Sequence, residues 1–251
     1  MWIYPKVVAH RGGGTLAPEN TLAAMRCGLQ HGFRAVEFDV MLSKDGVPVL
    51  MHDPQFGRTV RGIGSVPEST AAELAAMDAG SWFGPAFAGE PVPSYEAAVA
   101  FCKENAIWMN VEIKPAPSCE VETGRVTAES TLRLFADEIE QGAPAPRLPL
   151  FSSFSFDALM AAKQASPDIP RGFLVDKIPP DWLQRLRELD AIALHTNHKS
   201  LTESLARAVK EAGFGLFCYT VNTPERAREL FAWGVDAFCT DRIDLIGPAF
   251  R

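Results

Sequence analysis

Short runs of β-branched and aromatic residues alternate along this chain with longer stretches in which apolar positions recur every three or four residues. The runs fall at residues 7–9, 35–40, 108–113, 148–152, 171–175, 191–194, 215–220 and 236–240. The helical stretches between them cover residues 19–31, 94–104, 127–140, 156–165, 180–189, 201–212 and 224–233. In the first of these, Leu22, Ala23, Met25, Arg26 and Leu29 are spaced as one helical face. Eight strands alternating with helices predict an α/β protein built as a closed parallel barrel of the (β/α)8 TIM type.

One segment departs from the alternation. After Val40 the chain runs from Leu42 through Asp45-Gly46 to His52. An Asp-Gly pair between two alternating runs is a hairpin signal. The hairpin is expected to project above the second strand and to return His52 to the level of Glu37 and Asp39. Residues 53–93 then form an excursion with many turn signals, Gly57, Gly62, Gly64, Gly80, Gly84 and Gly89 among them. It is read as an insertion in the second βα loop, on the C-terminal face of the barrel. The rest of residues 1–251 forms a single barrel domain.

Length and composition agree. The chain has 251 residues, 47% of them hydrophobic. A barrel of this type needs roughly 250 residues, and disorder would require far fewer apolar positions. The net charge of -7 argues against nucleic acid as a partner, because a nucleic-acid surface is basic. It does not decide whether a small anion binds, since such a ligand feels the local field of its pocket. No signal-like start and no apolar run of the ~20 residues that span a bilayer is present. Five scattered cysteines with no C-x-x-C pair suggest neither zinc nor a disulfide framework. A cytoplasmic protein with no membrane partner is expected, with a homodimer left open.

Candidate chemistry gathers at strand ends, where this fold places its active sites. The first strand ends in His10-Arg11-Gly12. The second carries Glu37 and Asp39, two residues apart and therefore on one face. Glu112 and Lys114 repeat that spacing, and the hairpin ends in His52-Asp53. Glu37, Asp39 and Glu112 offer oxygen donors suited to Mg²⁺, Ca²⁺ or Mn²⁺. The competing reading is a buried ion-pair network with Arg11 and Lys114. His10 and His52 are candidate proton carriers near neutrality. Arg11 and Lys114 supply the local positive charge that a phosphate needs. His195 and His198 are placed after the sixth barrel strand, with His195 either facing the pocket or not. Asn20 or Thr21 caps the first helix, and Gly12-Gly13-Gly14 permits a tight turn.

The order of motifs is more specific than any one of them. His10-Arg11-Gly12 with Pro18-Glu19-Asn20-Thr21 is followed by Glu37-Phe38-Asp39-Val40, Lys44-Asp45-Gly46, His52-Asp53 and Glu112-Ile113-Lys114. Ser152-Ser153-Phe154, Thr220-Val221-Asn222 and Thr240-Asp241 complete the series. In this the chain resembles the glycerophosphodiester phosphodiesterase family, in particular its cytosolic bacterial members. The resemblance extends through the insertion, at Leu74, Asp78-Ala79-Gly80-Ser81-Trp82-Phe83 and Gly89-Glu90. One departure is Tyr219, where many members carry tryptophan.

The resemblance implies hydrolysis of a small-molecule glycerophosphodiester to sn-glycerol 3-phosphate and an alcohol. It implies His10 and His52 as the acid–base pair, and Glu37, Asp39 and Glu112 as ligands of one divalent cation, Mg²⁺ or Ca²⁺. Arg11 and Lys114 correspond to the phosphate-holding positions. A lysophospholipase D- or sphingomyelinase D-type phosphodiesterase on the same barrel is the alternative.

Overall fold

The computed structural model describes residues 2–251. Strand β1 (Val7–His10) is followed by helix α1 (Leu22–Gln30), β2 (Ala35–Leu42), β3 (Pro48–Leu50), α2 (Ala71–Ala75), α3 (Tyr95–Glu104) and β4 (Trp108–Ile113). Next come α4 (Glu120–Leu134), α5 (Ala136–Glu140), β5 (Leu150–Ser153), α6 (Phe156–Ala165), β6 (Arg171–Val175) and α7 (Trp182–Glu188). The chain finishes with β7 (Ala193–Asn197), α8 (Glu203–Glu211), β8 (Gly215–Tyr219), α9 (Pro224–Ala232) and β9 (Ala237–Thr240). Omitting β3, the strands pair in parallel in chain order, and β1 pairs with both β9 and β2. The sheet therefore closes on itself as an eight-stranded (β/α)8 TIM barrel.

Alternation along the strands separates two cores. Outward residues such as Val36, Phe38, Val40, Val111, Phe151 and Leu216 pack under the helices. Inward residues form a smaller apolar plug of Val8, Ala35, Trp108, Leu150 and Phe217. Tyr4 and Trp2 join that plug, Tyr4 stacking on Trp108 with centroids 4.9 Å apart. The same inward positions turn polar toward the C-terminal ends: Ala35 gives way to Glu37 and Asp39, and Trp108 to Asn110 and Glu112. The barrel is sealed at one end and chemically equipped at the other.

Two elements differ from their sequence reading. The third helical stretch was expected over 127–140, but α4 starts at Glu120 and a separate short α5 follows Phe135. Its buried face consists of Thr123, Gly124, Thr127, Ala128, Ser130 and Thr131. Small and hydroxylated residues leave no apolar stripe to read. They serve close packing instead: a Cβ on Gly124 would lie 2.1 Å from the Ala158 carbonyl oxygen of α6. The sixth barrel strand, β7, runs through Asn197 and does not stop at Leu194. His195 and Thr196 pair with Leu174 and Val175 in the ladder, so His195 lies inside a strand and not after it. Polar residues that read as a loop are here the lining of a polar interior.

The hairpin forms as expected. β3 runs antiparallel to β2, pairing Val40 with Leu50 and Leu42 with Pro48. Gly46 supplies the positive φ of 75° in its turn. Between β3 and α3 the chain builds a small apolar cluster of its own, with Val60, Val66, Leu74, Ala79 and Val92 packed on Met41 and Met51. Helix α2 within it is held by a capping box between Thr70 and Glu73.

Candidate active site

All seven residues singled out as catalytic, phosphate-holding or metal-ligating converge at the C-terminal mouth. His10 ends β1, Arg11 follows it, Glu37 and Asp39 stand on β2, and Glu112 and Lys114 end β4. His52 arrives from the hairpin, tied to β2 by the Met51 amide donating to the Asp39 carbonyl at 3.2 Å. Six of the seven, all but the buried Asp39, line one cavity of about 290 Å³.

The three carboxylates offer one oxygen each, and these oxygens lie within 4.8 Å of one another. Their charges are settled unequally. Burial alone would raise the Asp39 carboxyl, but Arg11, Lys114 and His52 outweigh it and bring it down to about 2. Arg11 Nε lies 3.3 Å from Asp39 Oδ2, and Lys114 Nζ 3.4 Å from Asp39 Oδ1. Burial and the charge on Asp39 push Glu112 up to about 7, although Lys114 Nζ is only 3.4 Å away. Glu37 is raised well above the usual carboxylate range by burial, Asp39 and Glu112. Its Oε1 is buried without a hydrogen-bond partner. An all-oxygen donor set with one unmet buried oxygen fits a hard divalent cation. Neither lysine nor arginine satisfies that oxygen, so the ion-pair reading accounts for Asp39 but not for Glu37.

Each histidine is held by an acid. His10 Nδ1 lies 2.6 Å from Asp241 Oδ1, and His52 Nδ1 lies 2.6 Å from Asp53 Oδ1. In each ring Nε2 is the nitrogen left toward the cavity, that of His10 standing 3.7 Å from Glu37 Oε2. The His52 pKa is lowered, first by burial and then by Arg11 and Lys114, against the opposing pull of Asp39 and Asp53.

Several residues that support the site were not given that role in the sequence reading. Asn222 donates from Nδ2 to Asp241 Oδ2 at 2.9 Å, and Asn222 Oδ1 accepts from the Asp241 amide at 2.8 Å. Asp241 follows the last strand as Arg11 follows the first, so the strand-end rule could have found it. Asn20 does not cap α1; Thr21 does, accepting from the Ala24 amide at 3.1 Å. Asn20 instead adopts a positive φ of 58° and donates to Asp39 Oδ2 at 2.8 Å. Glu19 accepts from Arg11 at 2.8 Å, and Arg58 bridges Glu19 and Asp53 through contacts of 2.6 Å to each. Nothing in the local pattern around Arg58 marks it, because its partners come from two distant segments. His195 faces the cavity with its ring fully buried. Gly14 has φ 54°, and a Cβ there would meet the Asp241 carbonyl oxygen at 2.1 Å. Gly14 thus brings the first loop against the last, while Gly12 and Gly13 lie against Ala24 at the start of α1.

The sequence matches the model of the glycerophosphoryl diester phosphodiesterase family over residues 10–245. It is 31% identical over 247 residues to YhdW of Bacillus subtilis, covering 96% of each chain. It is also 31% identical over 240 residues to a glycerophosphodiester phosphodiesterase of Caldanaerobacter subterraneus, covering 94% of this chain and 93% of that one. Among solved structures, a phosphodiesterase of Oleispira antarctica in complex with the product sn-glycerol-3-phosphate superposes with a TM-score of 0.86. Sequence identity to it is 37%, over 95% of this chain and 93% of that one. Full-length agreement in sequence and in barrel geometry gives one conclusion: the chain belongs to the glycerophosphodiester phosphodiesterase family.

Proposed function

We propose that this phosphodiesterase cleaves its substrate by acid–base catalysis between His10 and His52, at a phosphate held by Arg11 and Lys114. The products are sn-glycerol 3-phosphate and an alcohol, as the product bound to the Oleispira relative supports. The observation that carries the mechanism is the matched pair of carboxylate–imidazole contacts, both 2.6 Å, on one cavity. A carboxylate on Nδ1 fixes that nitrogen as the N–H and leaves Nε2 to accept or deliver a proton.

One histidine takes the proton of the attacking hydroxyl as the new P–O bond forms. The other gives its proton to the leaving oxygen as the old P–O bond breaks. The attacking hydroxyl is either water or the 2-hydroxyl of the glycerol on the way to a cyclic phosphate, and both routes use the same pair. Arg11 and Lys114 neutralise charge that builds on the phosphoryl oxygens. Glu37, Asp39 and Glu112 would hold one divalent cation, Mg²⁺ or Ca²⁺. Such an ion supplies Lewis-acid polarisation and orientation when bound.

The whole chain acts as one catalytic unit in this reading, the barrel carrying the site and residues 53–93 carrying the partners of His52. Every group comes from a single chain, so a homodimer is not required. Among the described residues no helix is long and apolar enough to cross a membrane. Cytoplasmic residence belongs to the same proposal, supported by five free cysteines, three of them buried. The relatives carry the glycerophosphodiester name, and nothing in the site favours the lysophospholipase D or sphingomyelinase D alternative. The test is release of sn-glycerol 3-phosphate from glycerophosphocholine or glycerophosphoethanolamine, with and without a chelator. Loss on chelation and recovery with Mg²⁺ or Ca²⁺ is expected. Full activity in the chelated enzyme would overturn the metal assignment.

A further inference from the structure

We propose that the inner end of the catalytic cavity is a neutral hydroxyl-binding subsite, built from His195, Asn110 and Ser152, that takes a hydroxyl of the substrate's glycerol moiety. The inference rests on the reading of the outer end as the place of phosphodiester cleavage.

The two ends of the cavity differ in depth and in charge. At the mouth Phe154 is 49% exposed, whereas the His195 ring at the other end is 0% exposed. His195 is the third residue of β7, and Asn110 lies two residues before Glu112 on β4. Two residues along a strand place Asn110 roughly 6–7 Å deeper in the barrel than Glu112. Asn110 stands below the charged side chains of the cavity except Glu37, its ladder partner, while Ser152 pairs with Glu112 and lies at the level of the carboxylates.

Four polar atoms of the inner end are buried without a partner: Nδ1 and Nε2 of His195, Oδ1 of Asn110 and Oγ of Ser152. Buried polar groups in folded proteins are almost always met. So many unmet at one place, on three different strands and facing one cavity, mark a site completed from outside the chain. The imidazole is also deliberately accommodated. A Cβ at residue 172 of β6 would come 2.4 Å from His195 Nε2, so glycine there makes room for the ring. One face of the ring stacks on Phe217, with centroids 4.6 Å apart and planes 22° apart. Its two nitrogens are therefore held in a fixed orientation.

The chemistry of the ligand follows. A buried neutral imidazole offers one N–H and one lone pair, and a hydroxyl both donates and accepts. A phosphate is better served by Arg11 and Lys114, and the groups that meet the His195 ring itself, Gly172 and Phe217, carry no charge. The closed end suits the small part common to all glycerophosphodiesters. The alcohol, which varies, is left to the open mouth between Phe154 and Tyr219.

The test compares kcat/KM for glycerophosphoethanolamine with kcat/KM for bis(p-nitrophenyl) phosphate, a diester without glycerol. His195→Phe keeps a planar ring and removes both polar atoms. The ratio is expected to fall roughly ten- to a hundredfold, the usual effect of losing hydrogen bonds to a buried polar group. Where His195→Phe does not fold, Ser152→Ala carries the test, with a fall of at least about threefold expected. A ratio within twofold of the wild-type value in the folded variant overturns the subsite, as it would for a chamber that holds only water. Wild-type enzyme that cleaves no glycerophosphodiester overturns the cleavage reading and this one with it.

Discussion

At the residue scale, the site works by giving neighbouring groups of one chemical type different states. Asp39 keeps its charge because Arg11, Lys114 and Asn20 surround it, while burial and the charge on Asp39 itself hold Glu37 and Glu112 up. In the proposed metal site, a cation would have to displace the protons that these two acids hold. Its affinity should therefore rise with pH, most steeply near pH 7, where Glu112 titrates. Calorimetric titration with Mg²⁺ or Ca²⁺ in buffers of different ionisation enthalpy should show net proton release at pH 6. Equal affinity at pH 5.5 and pH 8 would contradict this account. The histidines are predicted to separate catalysis from metal binding. His10→Ala and His52→Ala should each lower kcat by about 10²–10⁴-fold, with the cation's Kd changed by less than about threefold in the same calorimetric titration. Near-normal turnover in either variant, at saturating cation, would remove that histidine from the acid–base pair.

At the scale of elements, the segment between β3 and α3 contributes to the site as well as to its own apolar cluster. Arg58 reaches from it to Glu19 on the first βα loop and to Asp53 beside His52. One guanidinium thus connects the carboxylate that holds Arg11 with the carboxylate that holds His52. The fork matters here, because Nε serves one acid while the two terminal nitrogens serve the other, and an ammonium cannot reproduce that. Arg58→Ala should reduce kcat about tenfold or more, and Arg58→Lys should resemble it. Steady-state kinetics beside a metal titration would check this. A variant that changes only KM, or only cation affinity, would show that Arg58 does not position His52. Helix α4 makes a related point about packing. Its close approach to α6 is built from glycine, threonine and serine, so the contact depends on small volume and not on apolar area.

At the scale of the whole molecule, the -7 charge and the anionic substrate are compatible because the charges that matter are local. Three carboxylates gather at the mouth of the barrel, and Arg11 and Lys114 sit among them. The polar barrel interior also carries a cost that pH should reveal. Burial pulls His195 down to about 3, from an ordinary value near 6.5. Between those values the unfolded chain binds a proton that the folded one refuses. Stability from this group is thus complete above about pH 6.5 and declines as the pH falls toward 3, by roughly 1.4 kcal/mol per pH unit. Denaturant unfolding at pH 7 and pH 5 should show a smaller acid loss in His195→Phe than in wild type. An equal loss in both would mean that His195 is solvated or charged in the folded state.

The barrel was legible because its signal is local. Each strand and helix announces itself within about ten residues, and eight strands in alternation with helices match the barrel pattern. His10, Glu37, Asp39, Glu112 and Lys114 were legible for a related reason: period-two spacing at a strand end fixes face and level together. The partners of those residues were not. Asp241 is 231 positions from His10, and Arg58 is 39 from Glu19, so only closure of the barrel and folding of the insertion bring them into contact. The start of α4 and the extent of β7 were missed because small and polar residues were buried there, against the assumption that buried faces are apolar. The sequence alone determined the architecture, the family resemblance and which residues stand at the mouth. Tertiary structure decided which acid holds which histidine, which carboxylate keeps its charge, and that His195 closes the floor of the cavity. Those outcomes depend on distance and burial between remote segments, which no local pattern encodes.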